Sequence, residues 1–170
     1  MTVAIVPGQH YDLPMATQQL RLSRKIPASA EQVWAVLTDI EAAPRTLSDV
    51  LSVEVLTPGP YAVGTRWLET RKMFGFEGTE EMEVAVAEAP RRTVIVADAG
   101  GAAYRTEFLL SPISGSPDAI ELTMVFSAAP QEKGGLKGAL MGVMAKVGMK
   151  ATRKAMEQDL EDIAAAVQRS

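Results

Sequence analysis

Three residues able to do chemistry stand at alternate positions of one segment: Trp67, Glu69 and Arg71. A strand sends alternate side chains to the same face. An indole N–H, a carboxylate and a guanidinium then share one side. Facing inward, Glu69 and Arg71 are buried charges that must pair or bind something polar. With Tyr104 they would polarise a carbonyl and move a proton. With the opposite parity, Arg66, Leu68, Thr70 and Lys72 point inward. Glu69 and Arg71 are then an ordinary surface pair, and this surface arrangement is the expectation. Asp39, near the end of a helical pattern, is expected to make local hydrogen bonds rather than to act as an acid catalyst.

Other chemistries are limited by what the sequence lacks. Its 170 residues contain no cysteine, which excludes disulfides, thiolate zinc sites and cysteine nucleophiles. The one histidine, His10, lies in the N-terminal segment and reads as a solvated tail residue. No metal and no cofactor is expected. A net charge of −4 argues against nucleic acid as a partner, because phosphate contacts need a clustered basic surface. No apolar run reaches the ~20 residues of a membrane span. Val3 to Val6 is too short for a signal-peptide core and lacks a basic leader. The chain is expected to be cytoplasmic, without stable membrane insertion.

The elements that must position these residues follow from periodicity. The length fits one domain, read as an irregular extension over 1–16 and a folded unit over 17–170. Thr17 to Ile26 alternates as a strand, and Pro27 stops it. Ser29 and Gln32 have capping-box spacing, and Val33, Leu37 and Ile40 form an apolar stripe. Pro44 is expected to end this helix, with a short second helix over Arg45 to Val50. Strand signals follow at Ser52–Val55, Val63–Met73, Glu81–Val86, Thr93–Ala97, Tyr104–Phe108 and Ile120–Met124. Phe74-Gly75 and Gly100-Gly101 read as reversals, and Ser111 to Pro117 as a loop. Strands this close, with no helices between them, imply an antiparallel meander. Leu136 to Gln168 reads as one helix about 50 Å long at ~1.5 Å per residue. A domain of this size has a radius of gyration of only ~15 Å. The helix must therefore cross the whole molecule and pack on the sheet.

Ile26-Pro27-Ala28-Ser29-Ala30-Glu31-Gln32-Val33-Trp34, followed by Leu37-Thr38-Asp39, resembles the first strand and helix of the START/Bet v 1-like (SRPBCC) superfamily, including its polyketide cyclase/dehydrase-like branch. Val63-Gly64-Thr65-Arg66 and Ala89-Pro90-Arg91-Arg92 resemble two further recurring stretches. The likeness runs from about Thr17 to the C-terminus. Many relatives carry an aromatic residue after the proline that closes the first helix; here Arg45-Thr46-Leu47 follows Pro44. The resemblance implies an α+β helix-grip fold: a curved antiparallel sheet of about seven strands around a long C-terminal helix, with two short helices after the first strand. It implies a ligand cavity between sheet and helix, and no single reaction.

Strand parity nominates the cavity face. Tyr104, Thr106 and Phe108 share one side of their strand, as do Leu122 and Met124, and Met82 and Val84. With Trp67 and the helix residues Leu140, Met141 and Met144 they form the expected ligand-binding set. Gly138 to Ala145 is uncharged all round, so it should meet apolar matter on a second side. Its methionines suit an adaptable pocket. Lys133, Lys137, Lys146, Lys150, Arg153 and Lys154 precede Glu157, Asp159, Glu161 and Asp162. A solvated face is expected for these charges, with peripheral contact to anionic lipid as the alternative. Three functions remain open: binding or transport of a small hydrophobic molecule such as a lipid, quinone or polyketide-like compound; a cofactor-free polyketide cyclase, aromatase or dehydratase; or a membrane-surface or protein-partner module. Monomer and homodimer both fit.

Overall fold

The computed structural model describes residues 18–73, 75–99, 102–130 and 138–169, and the side chains of the terminal helix from Gly148 onward. The expected extension over 1–16, with His10, lies outside the described residues, as do Gly100-Gly101. The chain runs β1 (Gln18–Ile26), α1 (Ala30–Thr38), a 3-10 turn (Ile40–Ala42), α2 (Ala43–Thr46), then β2 (Val50–Val55), β3 (Arg66–Met73) and β4 (Phe76–Glu88). It continues through β5 (Arg92–Ala99), β6 (Ala102–Ile113) and β7 (Ser116–Pro130) to α3 (Gly138–Val167). The strands form one antiparallel sheet in the order β1-β7-β6-β5-β4-β3-β2. Chain neighbours pair directly from β2 to β7, so this is the expected meander. β1 closes on β7, and the α1–α2 link carries the chain from one edge strand to the other.

Local chemistry explains the boundaries. Ser29 Oγ accepts from Gln32 N at 3.2 Å, and Gln32 Oε1 accepts from Ser29 N at 2.9 Å. That reciprocal cap satisfies two otherwise unpaired donors at the start of α1. Asp39 accepts from Ala42 N at 3.1 Å, the local role expected of it. Pro44 does not end α1. It lies in the first turn of α2, where its missing N–H is unpaired in any helix. The second helix therefore starts earlier than Arg45, and Val50 opens β2. Two strands run longer than their alternation suggested. β4 begins at Phe76, because Met73 pairs with Phe76 across the turn that holds Gly75 at a φ of 84°. β6 runs on through Pro112 to Ile113, so the expected Ser111–Pro117 loop shrinks to a tight turn. Pro112 lies beyond Leu109, the last β6 residue paired to β5. That flank of β6 is an edge, where a proline is tolerated.

Register shifts at Val50/Ser52 and Val84/Val86 bend the sheet. At the second, the fully buried Thr93 hydroxyl donates to Val86 O at 2.9 Å and lies 2.6 Å from the Tyr61 hydroxyl. The concave side holds the packed core. Ile26, Leu110, Ile120 and Leu122 meet Val33 of α1 and Met156, Leu160, Ile163, Ala164 and Val167 of α3. The α3 residues recur every three or four positions, the spacing of one helix face.

Fully burying such a side chain contributes about 1.5–3 kcal/mol, and truncation adds a cavity cost. Ile163→Ala is expected to cost about 2–5 kcal/mol by urea denaturation. Phe76→Ala, at a residue 78% exposed, should stay within about 0.5 kcal/mol. Equal losses at both positions would contradict the placement of the core.

Candidate functional site

Cross-strand register aligns Trp67 with Met82, Met82 with Ala97, Ala97 with Tyr104, and Tyr104 with Ala128. Directly paired residues share a face, so one row of side chains crosses the sheet. Two residues further along β3 and β4, Glu69 stands opposite Glu80. α3 covers this face, because Asp159 reaches Arg71. The guanidinium donates to both Asp159 carboxylate oxygens, at 2.9 and 3.1 Å, and through Nε to Glu69 Oε1 at 3.1 Å. The second Glu69 oxygen accepts from Trp67 Nε1 at 3.2 Å. Trp67 is 3% exposed and Asp159 4%.

The expected surface pair is therefore corrected. Glu69 and Arg71 face the helix, and Arg66 and Lys72 lie on the outer face. Arg71 tolerates burial because Asp159 matches its flat fork with two oxygens. The expectation that the acids of α3 are solvated fails at Asp159 for the same reason. Four polar side chains thus satisfy one another. Among the described residues, no fully buried side-chain nitrogen or oxygen lacks a partner.

The cluster is acid-rich. Burial pushes the Asp159 carboxyl up, and Arg71 opposes that while Glu69 and Asp49 add to it. Burial also works against the charge on Arg71, but Asp159, Glu69 and Asp49 outweigh it and hold the guanidinium more firmly protonated. Glu80 is pushed up by burial and by the charge of Glu69, with Arg71 pulling the other way. The Tyr104 phenol is raised by burial and by Glu80. Its ring stacks on Phe126, with centroids 5.9 Å apart.

A second tie lies further along α3. Asp162 accepts from Ser48 N and from Ser48 Oγ, both at 2.7 Å, and from Gln158 Nε2 at 2.9 Å. Burial works to raise its carboxyl, but these bonds hold it below the usual carboxylate range.

The expected ligand-binding residues separate by depth. Leu122, Phe108 and Met124 belong to the packed core, and Val84 and Trp67 are buried. Met82, Tyr104 and Thr106 face the concave side and stay partly open, as do Ile95 and Phe126. The side chains of Leu140, Met141 and Met144 lie outside the described residues. Asp159 and Glu80 were not singled out by sequence. Asp159 had a readable signal, a carboxylate directly beside Leu160 on the stripe of Met156, Leu160 and Ile163. Glu80 had none within a run of acids. Among the described residues, no group of His, Asp or Glu is arranged to hold a metal ion, and no helix is long and apolar enough to cross a membrane.

Comparison with known proteins adds to this geometry. The model of a family described as polyketide cyclase / dehydrase and lipid transport matches residues 17–168. No curated protein is similar by sequence. The Zhui aromatase/cyclase from Streptomyces sp. R1128 superposes with a TM-score of 0.73 at 15% identity, covering 90% of this chain and 94% of that one. Norcoclaurine synthase from Thalictrum flavum, in complex with dopamine and hydroxybenzaldehyde, gives 0.67 at 15% identity over 99% and 98%. A START superfamily protein from Mycobacterium smegmatis gives 0.60 at 16% identity over 85% and 98%. At these identities the structures share the fold.

Removing one member of a buried ion pair strands the other, typically at a cost of about 3–5 kcal/mol. Arg71→Met is expected to destabilise by that amount. A double-mutant cycle of Arg71→Met with Asp159→Leu should show coupling well above that of Arg24 with Glu161, an exposed pair worth about 0–1 kcal/mol. Urea denaturation reads both cycles, and equal coupling energies would show that the buried cluster does not hold the helix. Asp159 also binds its proton more tightly folded than unfolded. Its contribution thus favours the fold most at low pH and is lost as pH rises through its raised folded value. Asp159→Asn should remove that slope from stability measured against pH.

Proposed function

Since the chain belongs to the polyketide cyclase / dehydrase and lipid transport family, we propose that it binds a small hydrophobic molecule between the concave sheet and the first half of α3. One observation carries this reading: the concave face is packed at one end and partly open at the other. From Phe108 toward Ile120 the face is closed by α1 and by the C-terminal turns of α3. From Thr106 toward Tyr104 it keeps partly accessible aromatic and aliphatic surface at Met82, Ile95, Tyr104, Thr106 and Phe126. Apolar surface left open on a concave wall favours an occupant that displaces water. The first turns of α3, Gly138 to Ala145, carry no charge. Both features support a lipid, quinone or polyketide-like ligand.

A cyclase or dehydratase is the second reading. The family description and the aromatase/cyclase neighbour favour it, together with two groups on the open wall able to donate protons, Tyr104 and Glu80. Trp67, Glu69, Arg71 and Asp159 already satisfy one another, so on this reading they hold the wall in place.

Native mass spectrometry of the purified protein, with solvent extraction, tests the proposal. A co-purifying apolar compound released on denaturation is expected. Thr106→Trp, which projects bulk into the open region, should weaken binding of 2-ethylnaphthalene at least about tenfold, about 1.4 kcal/mol, while leaving the urea midpoint nearly unchanged. Unaltered affinity in that variant would place the ligand elsewhere.

A further inference from the structure

The hairpin of β3 and β4 outruns its neighbours. β4 pairs with β3 from Phe76 onward but with β5 only from Met82. The stretch from Phe76 to Glu81 therefore runs with β3 alone, over about 20 Å at ~3.3 Å per residue. Among the described residues, the last backbone bond from β3 toward β2 is Lys72 N to Asp49 O, at 2.8 Å. A methyl group added at Gly75 or Gly78 would meet nothing within 4 Å beyond its chain neighbours, so the ribbon stands clear. At its end Phe76 is 78% exposed, beside the turn where Gly75 takes a φ of 84°. Alternation puts Phe76 on the concave face with Glu80 and Met82. Antiparallel neighbours bring the β3–β4 turn, the β5–β6 turn and the end of β7 to one end of the sheet. Tyr104 lies near the start of β6 and Phe126 near the end of β7, so Phe76 projects where the wall is partly open.

We propose that the end of this ribbon is a lipid-contact point, where Phe76 enters the surface of a zwitterionic bilayer. The proposal goes beyond ligand binding and does not depend on it. Three observations favour a lipid surface over a protein. First, a stable protein interface buries about 800 Å² on each side, and the ribbon behind Phe76 is polar, with Glu77, Thr79, Glu80 and Glu81. A fluid surface needs no complementary shape, and one aromatic at an apex can enter it. Second, a second copy laid along this edge would set Glu77, Glu80 and Glu81 against the same carboxylates, and like charges placed opposite one another destabilise strand pairing. Third, a bilayer touching this end also faces the apolar surface left accessible at Tyr104 and Phe126. The charge beside the tip selects the kind of lipid. Lys72 stands opposite Glu77, and the two cancel. The remaining ionisable groups of the ribbon, Glu80 and Glu81, are acids, which gain nothing from an anionic surface. On the outer face the Thr70 and Thr79 hydroxyls lie 2.8 Å apart and Arg66 pairs with Glu81, so the tip has a firm mount.

The chain has no cysteine, so one introduced thiol carries an environment-sensitive dye without competition. Phe76→Cys and Val63→Cys are each labelled with an NBD maleimide in the full chain. Val63 is 65% exposed but lies between β2 and β3, at the opposite end of the sheet. On addition of dioleoylphosphatidylcholine vesicles, the dye at 76 is expected to brighten and shift to shorter wavelength, and the dye at 63 to stay unchanged. In co-sedimentation, unlabelled Phe76→Ala should partition into these vesicles at least about fivefold more weakly than the wild type. Phe76→Trp should bind at least as well as the wild type, because an indole suits the membrane interface. A dye at 76 that is silent, that responds no more than the dye at 63, or that responds to phosphatidylglycerol vesicles alone overturns the proposal. So does a response to added unlabelled protein without vesicles, which would make the ribbon a contact between copies. Phe76→Ala should leave the affinity for free 2-ethylnaphthalene unchanged; a parallel loss there would make Phe76 a cavity residue and overturn the lipid contact. If 2-ethylnaphthalene fails to bind the wild type while the dye at 76 responds, the cavity falls and the lipid contact stands. Urea midpoints close to wild type confirm that the variants fold.

Discussion

One guanidinium fixes how the terminal helix lies on this sheet. Arg71 stands on β3, the next-to-last strand on the β2 side, and its partner Asp159 lies 88 residues on, in α3. The α3 residues around Asp159 pack chiefly against β1, β6, β7 and α1 at the other side of the concave face. Apolar contact alone would press the helix onto that side and leave its lean toward β3 loosely determined. A bidentate bond between a flat fork and a carboxylate has a narrow geometry. It sets the lean, and Trp67 and Glu69 set the fork in turn. The Asp162–Ser48 bonds add a second fixed point beside β2. With both in place, the angle between helix and sheet is set by directional bonds as well as by packing.

That angle has a consequence for the concave face. A helix held down on the β3 side by Asp159, and packed on the β1–β7 side by Leu160, Ile163 and Val167, leaves Met82 and Tyr104 outside the packed core. Both keep accessible surface. A domain of this length has enough apolar residues to close its interior. The partial exposure at Met82 and Tyr104 therefore reflects placement: the large core side chains are drawn to one end. The polar cluster adjoins that surface on the β3 side, and its members satisfy one another's hydrogen bonds.

Much of this architecture was legible in the sequence because it is encoded locally. The Ser29–Gln32 cap, the Gly75 reversal, the alternating strands and the uninterrupted final helix each depend on residues a few positions apart. Pro44 misled because a proline closing one helix and a proline opening the next give the same local pattern. Pro112 and the acidic stretch Glu77–Glu81 concealed the true lengths of β6 and β4, because alternation is blurred wherever strands outrun their neighbours. The site was harder to read. Parity placed Trp67, Glu69 and Arg71 together, but the choice between inner and outer face turned on a counter-charge in a distant element. Nothing near residue 71 reveals that Asp159 will be there. Parity also gave the facing of Phe108, Leu122 and Met124 correctly while saying nothing of depth, and depth separates packed core from open wall.

The acidic balance of the inner face bears on how one fold serves different ligands. A helix-grip interior that presented a free arginine would select anions, and one lined wholly by hydrocarbon would select by shape alone. In this chain the arginine is consumed by structure; among the described residues of the partly open wall, Glu80, Tyr104 and Thr106 make no side-chain hydrogen bond, and burial raises the first two above the ordinary values of their types. Burial is costly for charge and much less so for a neutral donor. The same desolvation that makes an arginine here tolerable only as half of an ion pair raises the Glu80 carboxyl and the Tyr104 phenol. The helix anchor thus occupies the Arg71 guanidinium and sets it among carboxylates.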